Sequence, residues 1–194
     1  MKIIHMNGFD DVFRGHYKGL IQNNAITAMK QLLDGLSKCN IMLNTRNLEY
    51  QKEFNELYQN NPVGSHNLDK DFARVIHYLW RSKEIQSCYE RRRLFDLLDS
   101  AKYFLDRVLD LASEGYIPSD NDVLRARIAT TGATQIEFRF RKAFIRMIDV
   151  GGSRSEMKKW AYCFDNVDAV LFVTAISDYD LISDEEQRPI VKTK

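Results

Sequence analysis

Residues 122–152 read DVLRARIATTGATQIEFRFRKAFIRMIDVGG, and inside this run the hydrophobic period changes. Ile136, Phe138 and Phe140 alternate with Glu137 and Arg139, the pattern of a half-buried strand. Phe144 to Val150 reads as a second strand, joined to the first by a short turn. It ends on Asp149-Val150-Gly151-Gly152. A carboxylate at a strand end can be aimed at a magnesium ion, and glycines let backbone N–H groups approach a phosphate because no Cβ intervenes. Upstream, Arg125-Ala126-Arg127-Ile128-Ala129-Thr130-Thr131-Gly132 offers arginines that can neutralise a transferring phosphoryl group and a threonine hydroxyl that can ligate magnesium. Taken alone, the first run is more often an ordinary turn, and the second reads better as a linker with solvated arginines.

Before the change, from about Phe9 to Asn121, the spacing is helical. Phe13, Tyr17, Ile21, Ala25, Ala28, Leu32 and Leu36 recur at three and four, one apolar stripe down a long helix. Asp69 suits the N-cap of a second helix with Phe72, Val75, Ile76, Leu79 and Trp80 on its inner face. Asp99 or Ser100 suits the cap of a third, with Phe104, Leu105, Val108, Leu111 and Ala112. Leu48 to Tyr58 is polar but helical in pattern. These stripes predict a bundle core. After the change, Ser155 to Phe164 reads as a helix and Val167 to Ile176 as a strand buried on both faces.

Composition narrows the function classes. The chain has 194 residues, 44% hydrophobic and 28% charged, enough to bury a core. Its 28 Lys and Arg against 27 acidic residues leave no basic excess that would demand nucleic acid or an anionic membrane. Cys39, Cys88 and Cys163 form no CxxC, and the four histidines do not cluster with them, so reduced thiols of a cytosolic-type protein are expected and a structural zinc is not. Arg91-Arg92-Arg93 reads as a solvated helix end. No stretch approaches the roughly 20 apolar residues of a membrane helix. Met1-Lys2-Ile3-Ile4-His5 is neither a signal peptide nor a myristoylation sequence, so no membrane anchor is expected in this chain.

Read together, Asp122 to Arg127, Thr130-Thr131-Gly132, Phe138-Arg139-Phe140, Asp149-Val150-Gly151-Gly152, Arg154-Ser155-Glu156 and Lys158-Lys159-Trp160 resemble a heterotrimeric G-protein α subunit. The order and spacing match that family's two nucleotide-sensing switch segments. The resemblance continues through Cys163-Phe164 and Ser177 to Leu181, and backwards through Asp99-Ser100-Ala101 and Tyr116-Ile117-Pro118 to Met1–His5. It implies an α plus α/β fold, an all-helical domain inserted into an incomplete Ras-like P-loop GTPase domain. The expected division is 1–8 as a remnant of the first GTPase-domain helix, 9–124 as the helical domain and 125–194 as a partial Ras-like domain.

The resemblance also implies roles. Arg127 corresponds to the built-in arginine finger, Thr130 to the switch-one magnesium ligand, Asp149 to the carboxylate holding magnesium through water, and Gly151 and Gly152 to the γ-phosphate-sensing turn. Ser100, Leu124 and Arg125 fall where the family lines the nucleotide. Arg154, Lys159, Trp160, Cys163 and Phe164 fall on the switch-two face that meets the βγ dimer. Implied with them are GTP and GDP as ligands, Mg2+, a G-protein-coupled receptor, an effector, and work at the inner face of the plasma membrane.

Departures from the pattern set further expectations. Ser153 stands where the family has the glutamine that orients the attacking water, and its hydroxyl is too short to replace an amide, so hydrolysis should be slow. Ala129 and Met157 replace residues that are usually basic. No G-x-x-x-x-G-K-[ST] and no Asn-Lys-x-Asp occur among the 194 residues, so weak nucleotide binding by this chain is expected. The family's strand before the phosphate loop would lie between the strands matched by Phe144–Val150 and Val167–Ile176. Its absence predicts a bundle that folds alone and a marginal remainder. The contrasting expectation is a nucleotide-independent module that binds βγ or an effector through Arg154–Phe164.

Overall fold

The computed structural model describes residues 10–60, 68–127, 132–152, 154–164, 167–173, 182–183 and 188–189. These fall into two compact units. The larger is a helical bundle. A short α1 (Asp11–Gly15) precedes the 21-residue α2 (Lys18–Lys38), followed by α3 (Thr45–Asn60), α4 (Lys70–Arg81), α5 (Lys83–Glu90), a 3-10 turn (Arg92–Leu94), α6 (Ala101–Asp106), α7 (Val108–Leu111) and α8 (Asp120–Arg125). The smaller contains an antiparallel ribbon of β1 (Ala133–Phe140) and β2 (Ala143–Val150), then α9 (Arg154–Met157) and α10 (Trp160–Cys163). A second ladder pairs β3 (Ile182–Ser183) with β4 (Arg188–Pro189). The chain is thus mixed, a helical bundle with a small sheet, as the resemblance implies.

The apolar stripe of α2 forms as its spacing predicts, and Ile21, Ala25, Ala28, Met29, Leu32 and Leu36 are buried. It is not continuous with the turn before it. The helix breaks at His16 and Tyr17, just after Gly15, a residue about 1 kcal/mol less helix-favouring than Ala. At its other end the helix closes in a Schellman motif: Asn40 takes a left-handed φ of 53°, Ile41 N–H donates to Leu36 O at 3.0 Å and Asn40 N–H to Ser37 O at 3.2 Å.

Asp69 caps α4 as expected, its carboxylate accepting Phe72 N–H at 2.8 Å. Phe72, Val75, Ile76, Leu79 and Trp80 are buried, each stabilising the fold by roughly 1.5–3 kcal/mol. Trp80 also donates Nε1–H to Asp106 at 2.8 Å, which leaves no polar atom of the indole stranded. The third predicted helix is divided at Arg107 into α6 and α7. Ser100 holds its N-cap position but makes no side-chain cap bond there.

Two expectations for the smaller unit need correction. Residues 155–164 form two single-turn helices separated by Lys158 and Lys159 rather than one. Residues 167–173 form no strand, and Val170, Leu171, Phe172 and Val173 are 66–81% exposed rather than buried on both faces. No described strand runs beside them, so their backbone has no ladder to join. Residues 174–176 of that expected strand lie outside the described residues. The ribbon itself follows the predicted alternation, Ile136 and Phe138 half-buried and Glu137 and Arg139 exposed. No helix among the described residues is long and apolar enough to cross a membrane.

Gly35, inside α2, lies where the backbone closely approaches a buried ring. A Cβ there would lie 2.7–2.8 Å from three ring carbons of buried Phe95. Gly35→Ala gains up to about 1 kcal/mol of helix propensity but overpacks the ring by about 1–3 kcal/mol. The expected net result is a lower thermal midpoint, read by circular dichroism at 222 nm; an unchanged or raised midpoint would show that Phe95 yields freely.

Candidate functional site

In the helical unit the expected nucleotide-side residues gather on and beside α8. Pro118 precedes the helix, and Ser119 opens it with a capping box: its Oγ accepts Asp122 N–H at 3.2 Å while its own N–H donates to Asp122 Oδ2 at 2.8 Å. The Asp122 carboxylate is fully buried, yet it accepts further bonds from Tyr103 Oη at 2.8 Å, Tyr116 Oη at 3.0 Å and the Arg107 guanidinium. Burial pushes its pKa up, but the hydrogen bonds from Ser119 N–H, Tyr103 and Arg107 outweigh that and bring it down to about 2. The Tyr103 and Tyr116 hydroxyls shift upward, first through burial and then through the same carboxylate.

This anchor fixes the helix that presents the predicted residues. Leu124 is 64% exposed, and the Arg125 guanidinium lies over the Tyr103 ring, 4.6 Å from its centroid. Ser100 Oγ donates to Arg125 O at 2.8 Å, so its hydroxyl closes the C-terminal end of α8 instead of capping α6. One residue later the chain leaves the helix, and Asn24 of α2 grips the backbone of Arg127. Arg127 N–H donates to Asn24 Oδ1 at 2.8 Å, and Asn24 Nδ2 lies 3.5 Å from Arg127 O. The Arg127 residue is exposed. Its backbone is held while its side chain reaches solvent.

The ribbon assembles a second cluster. Its register pairs Ala133 with Val150 and Thr134 with Asp149, so the start of β1 and the end of β2 lie side by side. Gly151 N–H donates to Gly132 O at 3.1 Å, continuing the contact beyond the ladder. Gly132 takes φ 73°, a conformation that costs a glycine little. Its N–H donates to Glu156 at 2.6 Å, and Lys159 Nζ donates to the other oxygen of that carboxylate at 2.8 Å. Lys159 first and Gly132 second hold the Glu156 carboxyl below the ordinary range. Trp160 Nε1–H donates to Gly151 O at 2.8 Å, and its ring meets Phe164 edge-on at 6.2 Å.

Asp149 is exposed at the strand end, and Gly152 is open enough that a Cβ would meet nothing within 4 Å. Cys163 is half-buried and Phe164 is 47% exposed on α10 and its C-cap. Arg154 begins α9. Thr130 and Ser153 lie outside the described residues. Among the described residues no group of three or more His, Cys, Asp or Glu could hold a metal ion.

Asn24, Tyr103 and Glu156 were not marked as functional by the sequence reading. A signal existed for Asn24. Ile21, Asn24, Ala25 and Ala28 share one α2 stripe, and a buried amide on such a stripe must find a partner. Nothing in the spacing pointed to the partner being Arg127, 103 residues away.

Two substitutions test this geometry. Asp122→Asn would set an amide N–H2 or a weaker oxygen against donors and leave Arg107 without its counter-charge, costing about 3–5 kcal/mol. Because the native pKa lies below the ordinary 3.8, the carboxylate's stabilisation is full above about pH 4 and is lost as pH falls toward 2. Urea midpoints measured from pH 6 to 2 should fall in that window, and fall less in the Asn variant; identical slopes would remove Asp122 as the cause. Asn24→Ala should speed amide hydrogen exchange at Arg127 by roughly ten- to a hundredfold, the cost of an unpaired amide of about 1–3 kcal/mol. Unaltered exchange there would mean that the contact does not hold the backbone.

Comparison with known proteins agrees with the geometry. The family model described as "G-protein alpha subunit" matches residues 1–192. Guanine nucleotide-binding protein alpha-11 subunit of Caenorhabditis elegans is 41% identical over 192 residues, covering 96% of this chain and 52% of that protein. A guanine nucleotide-binding protein subunit alpha of Cochliobolus heterostrophus is 37% identical over 187 residues, and an alpha-17 subunit of Caenorhabditis briggsae 36% over 188, each covering 96% of this chain and 53% of its own length. The chain therefore spans about half the length of the curated relatives it matches. With the switch-like runs, the capped α8 and the ribbon in place, the chain belongs to the G-protein alpha subunit family.

Proposed function

We propose that these residues serve a guanine nucleotide-binding signal transducer that couples a receptor to an effector through a GTP/GDP switch. The observation that carries this reading is the ribbon register. It brings Gly132, the end of the first switch-like segment, against Gly151, the start of the second, although 19 positions separate them. Two segments that must answer the same phosphate need such a meeting point.

In this reading Arg127, with its backbone gripped by Asn24, presents its guanidinium to charge developing on the γ-phosphate. Ser100, Leu124 and Arg125 contribute contacts to the nucleotide. The Gly152 N–H, unobstructed by any Cβ, senses the γ-phosphate. Trp160 is tied to Gly151 O, so a shift of the glycine turn passes to the face carrying Lys159, Cys163 and Phe164, where the βγ dimer binds. The donor chemistry suits magnesium: Asp149 is an exposed hard oxygen ligand, Thr130 would supply a hydroxyl, and water and phosphate oxygens complete such sites. When bound, the ion neutralises phosphate charge. Ser153 cannot orient the attacking water as a glutamine amide does, so hydrolysis is slow.

A second reading has its own support. Tyr162 is 85%, Phe164 47% and Met157 47% exposed beside Lys159, a mixed apolar and basic face that could hold βγ or an effector without nucleotide. A graft separates the two. Residues 1–194 replace the matching segment of the C. elegans alpha-11 relative, and binding of fluorescent GDP and hydrolysis of GTP with magnesium are measured. The transducer reading expects nucleotide binding, slow turnover and a loss of roughly 10³-fold on Arg127→Ala. A folded graft that binds partners but no nucleotide would overturn it in favour of the second. The 194-residue chain alone should bind guanine nucleotide weakly or not at all, and nanomolar affinity would refute that expectation.

A further inference from the structure

Cys39 and Cys88 lie 49 positions apart in the chain, on different helices, yet their Sγ atoms are 3.8 Å apart in the bundle core. Cys39 is the C-cap of α2 and Cys88 belongs to the last turn of α5. Both are free thiols, 3% and 0% exposed. We propose that this pair is an oxidative modification site, forming a reversible intramolecular disulfide that ties the end of α2 to α5 when the protein meets a two-electron oxidant such as hydrogen peroxide.

Several features make the pair selective rather than generally reactive. Burial pushes the Cys88 thiol up to about 12, with the neighbouring Cys39 adding to the shift, so in the closed bundle it stays protonated and inert. Its weak S–H donor has Cys39 Sγ and Leu32 O within reach, the latter at 3.5 Å. Cys39 is placed differently. It stands at a helix terminus, directly before left-handed Asn40, where helices fray first. Arg91 holds the carbonyl of this residue, Nη1 donating to Cys39 O at 2.8 Å, which keeps the helix end beside Cys88. The sulfurs start 3.8 Å apart and must close to about 2.05 Å for a bond to form.

The chemistry balances with the peroxide alone. On opening, the Cys39 sulfur attacks one peroxide oxygen and the O–O bond breaks, giving a sulfenic acid and one water. The Cys88 sulfur then attacks the Cys39 sulfur, the S–O bond breaks, and the hydroxyl leaves with the Cys88 proton as a second water. Two thiols are oxidised and one peroxide is reduced. A dithiol reductant reverses the step by exchange. The resulting loop restrains the unfolded chain, so the oxidised bundle should be the more stable form. Nucleotide plays no part, so this inference stands or falls separately from the transducer reading.

The test uses the full chain with Cys163, the accessible thiol, removed as Cys163→Ser or capped with iodoacetamide before oxidation. After peroxide treatment and quenching, free thiols are counted in denaturant and the intact mass is recorded. The expected result is loss of both thiols, a monomer lighter by two hydrogens, a linked peptide pair containing residues 39 and 88, and a thermal midpoint raised by about 5–10 °C and restored by dithiothreitol. Adding Cys39→Ser should leave Cys88 as a free thiol under the same exposure. Retention of both thiols in a folded chain, disulfide-linked dimers, or a mass gain from sulfinic acids without the linked pair would overturn the proposal.

Discussion

A fully buried carboxylate organises the part of this protein that resembles a nucleotide site. Asp122 is inaccessible to solvent and accepts from Tyr103, Arg107, Tyr116 and the Ser119 backbone. A charge in such a place would cost several kcal/mol without these partners. With them it joins α6, the Arg107 break before α7, the Tyr116 segment and α8 into one arrangement. The position of Leu124, Arg125 and the departing Arg127 follows from it. Tyr103 lies at the centre, bonding Asp122 through its hydroxyl while Arg107 and Arg125 lie over its ring. Stability and site geometry are here the same set of contacts.

Arg127 shows how a backbone can be fixed while its side chain stays available. α8 stops at Arg125, and a chain leaving a helix has no further intrahelical partner for its amides. Asn24 supplies one for Arg127 from a different helix, held within the bundle by the apolar stripe of α2. The guanidinium needs no structural partner of its own. This suits a group whose proposed work is to meet charge only during a reaction.

In the smaller unit, hydrogen bonds rather than apolar burial hold the two switch-like ends. The ribbon leaves Phe140 and Phe144 more than half exposed, and Leu171, Phe172 and Val173 are more exposed still. What joins Gly132 to Gly151 is one backbone bond, supported by the Glu156 carboxylate on one side and the Trp160 indole on the other. A net backbone hydrogen bond is worth only about 0.5–1.5 kcal/mol. Such a meeting point is held by a few hydrogen bonds.

Residue order alone determined the helical character of the first two-thirds, the Asp69 cap, the alternation of β1 and the family to which the switch-like runs belong. Those features are local: a period of 3.6 or 2, a carboxylate one residue before a helix, or a short string of motif residues. The same reading takes Asp99 or Ser100 as a cap and 167–176 as a buried strand, and it expects Cys39 and Cys88 only as reduced thiols. Each of those outcomes depends on what lies across the fold. Ser100 bonds Arg125 because packing brings α8 beside α6, residues 167–173 lack a described strand to pair with, and the two thiols meet because α2 packs on α5. Only the tertiary structure could decide them, since a hydroxyl, an unpaired backbone or a thiol takes its role from the partner that folding delivers. No local pattern encodes a partner 25, 49 or 103 residues away.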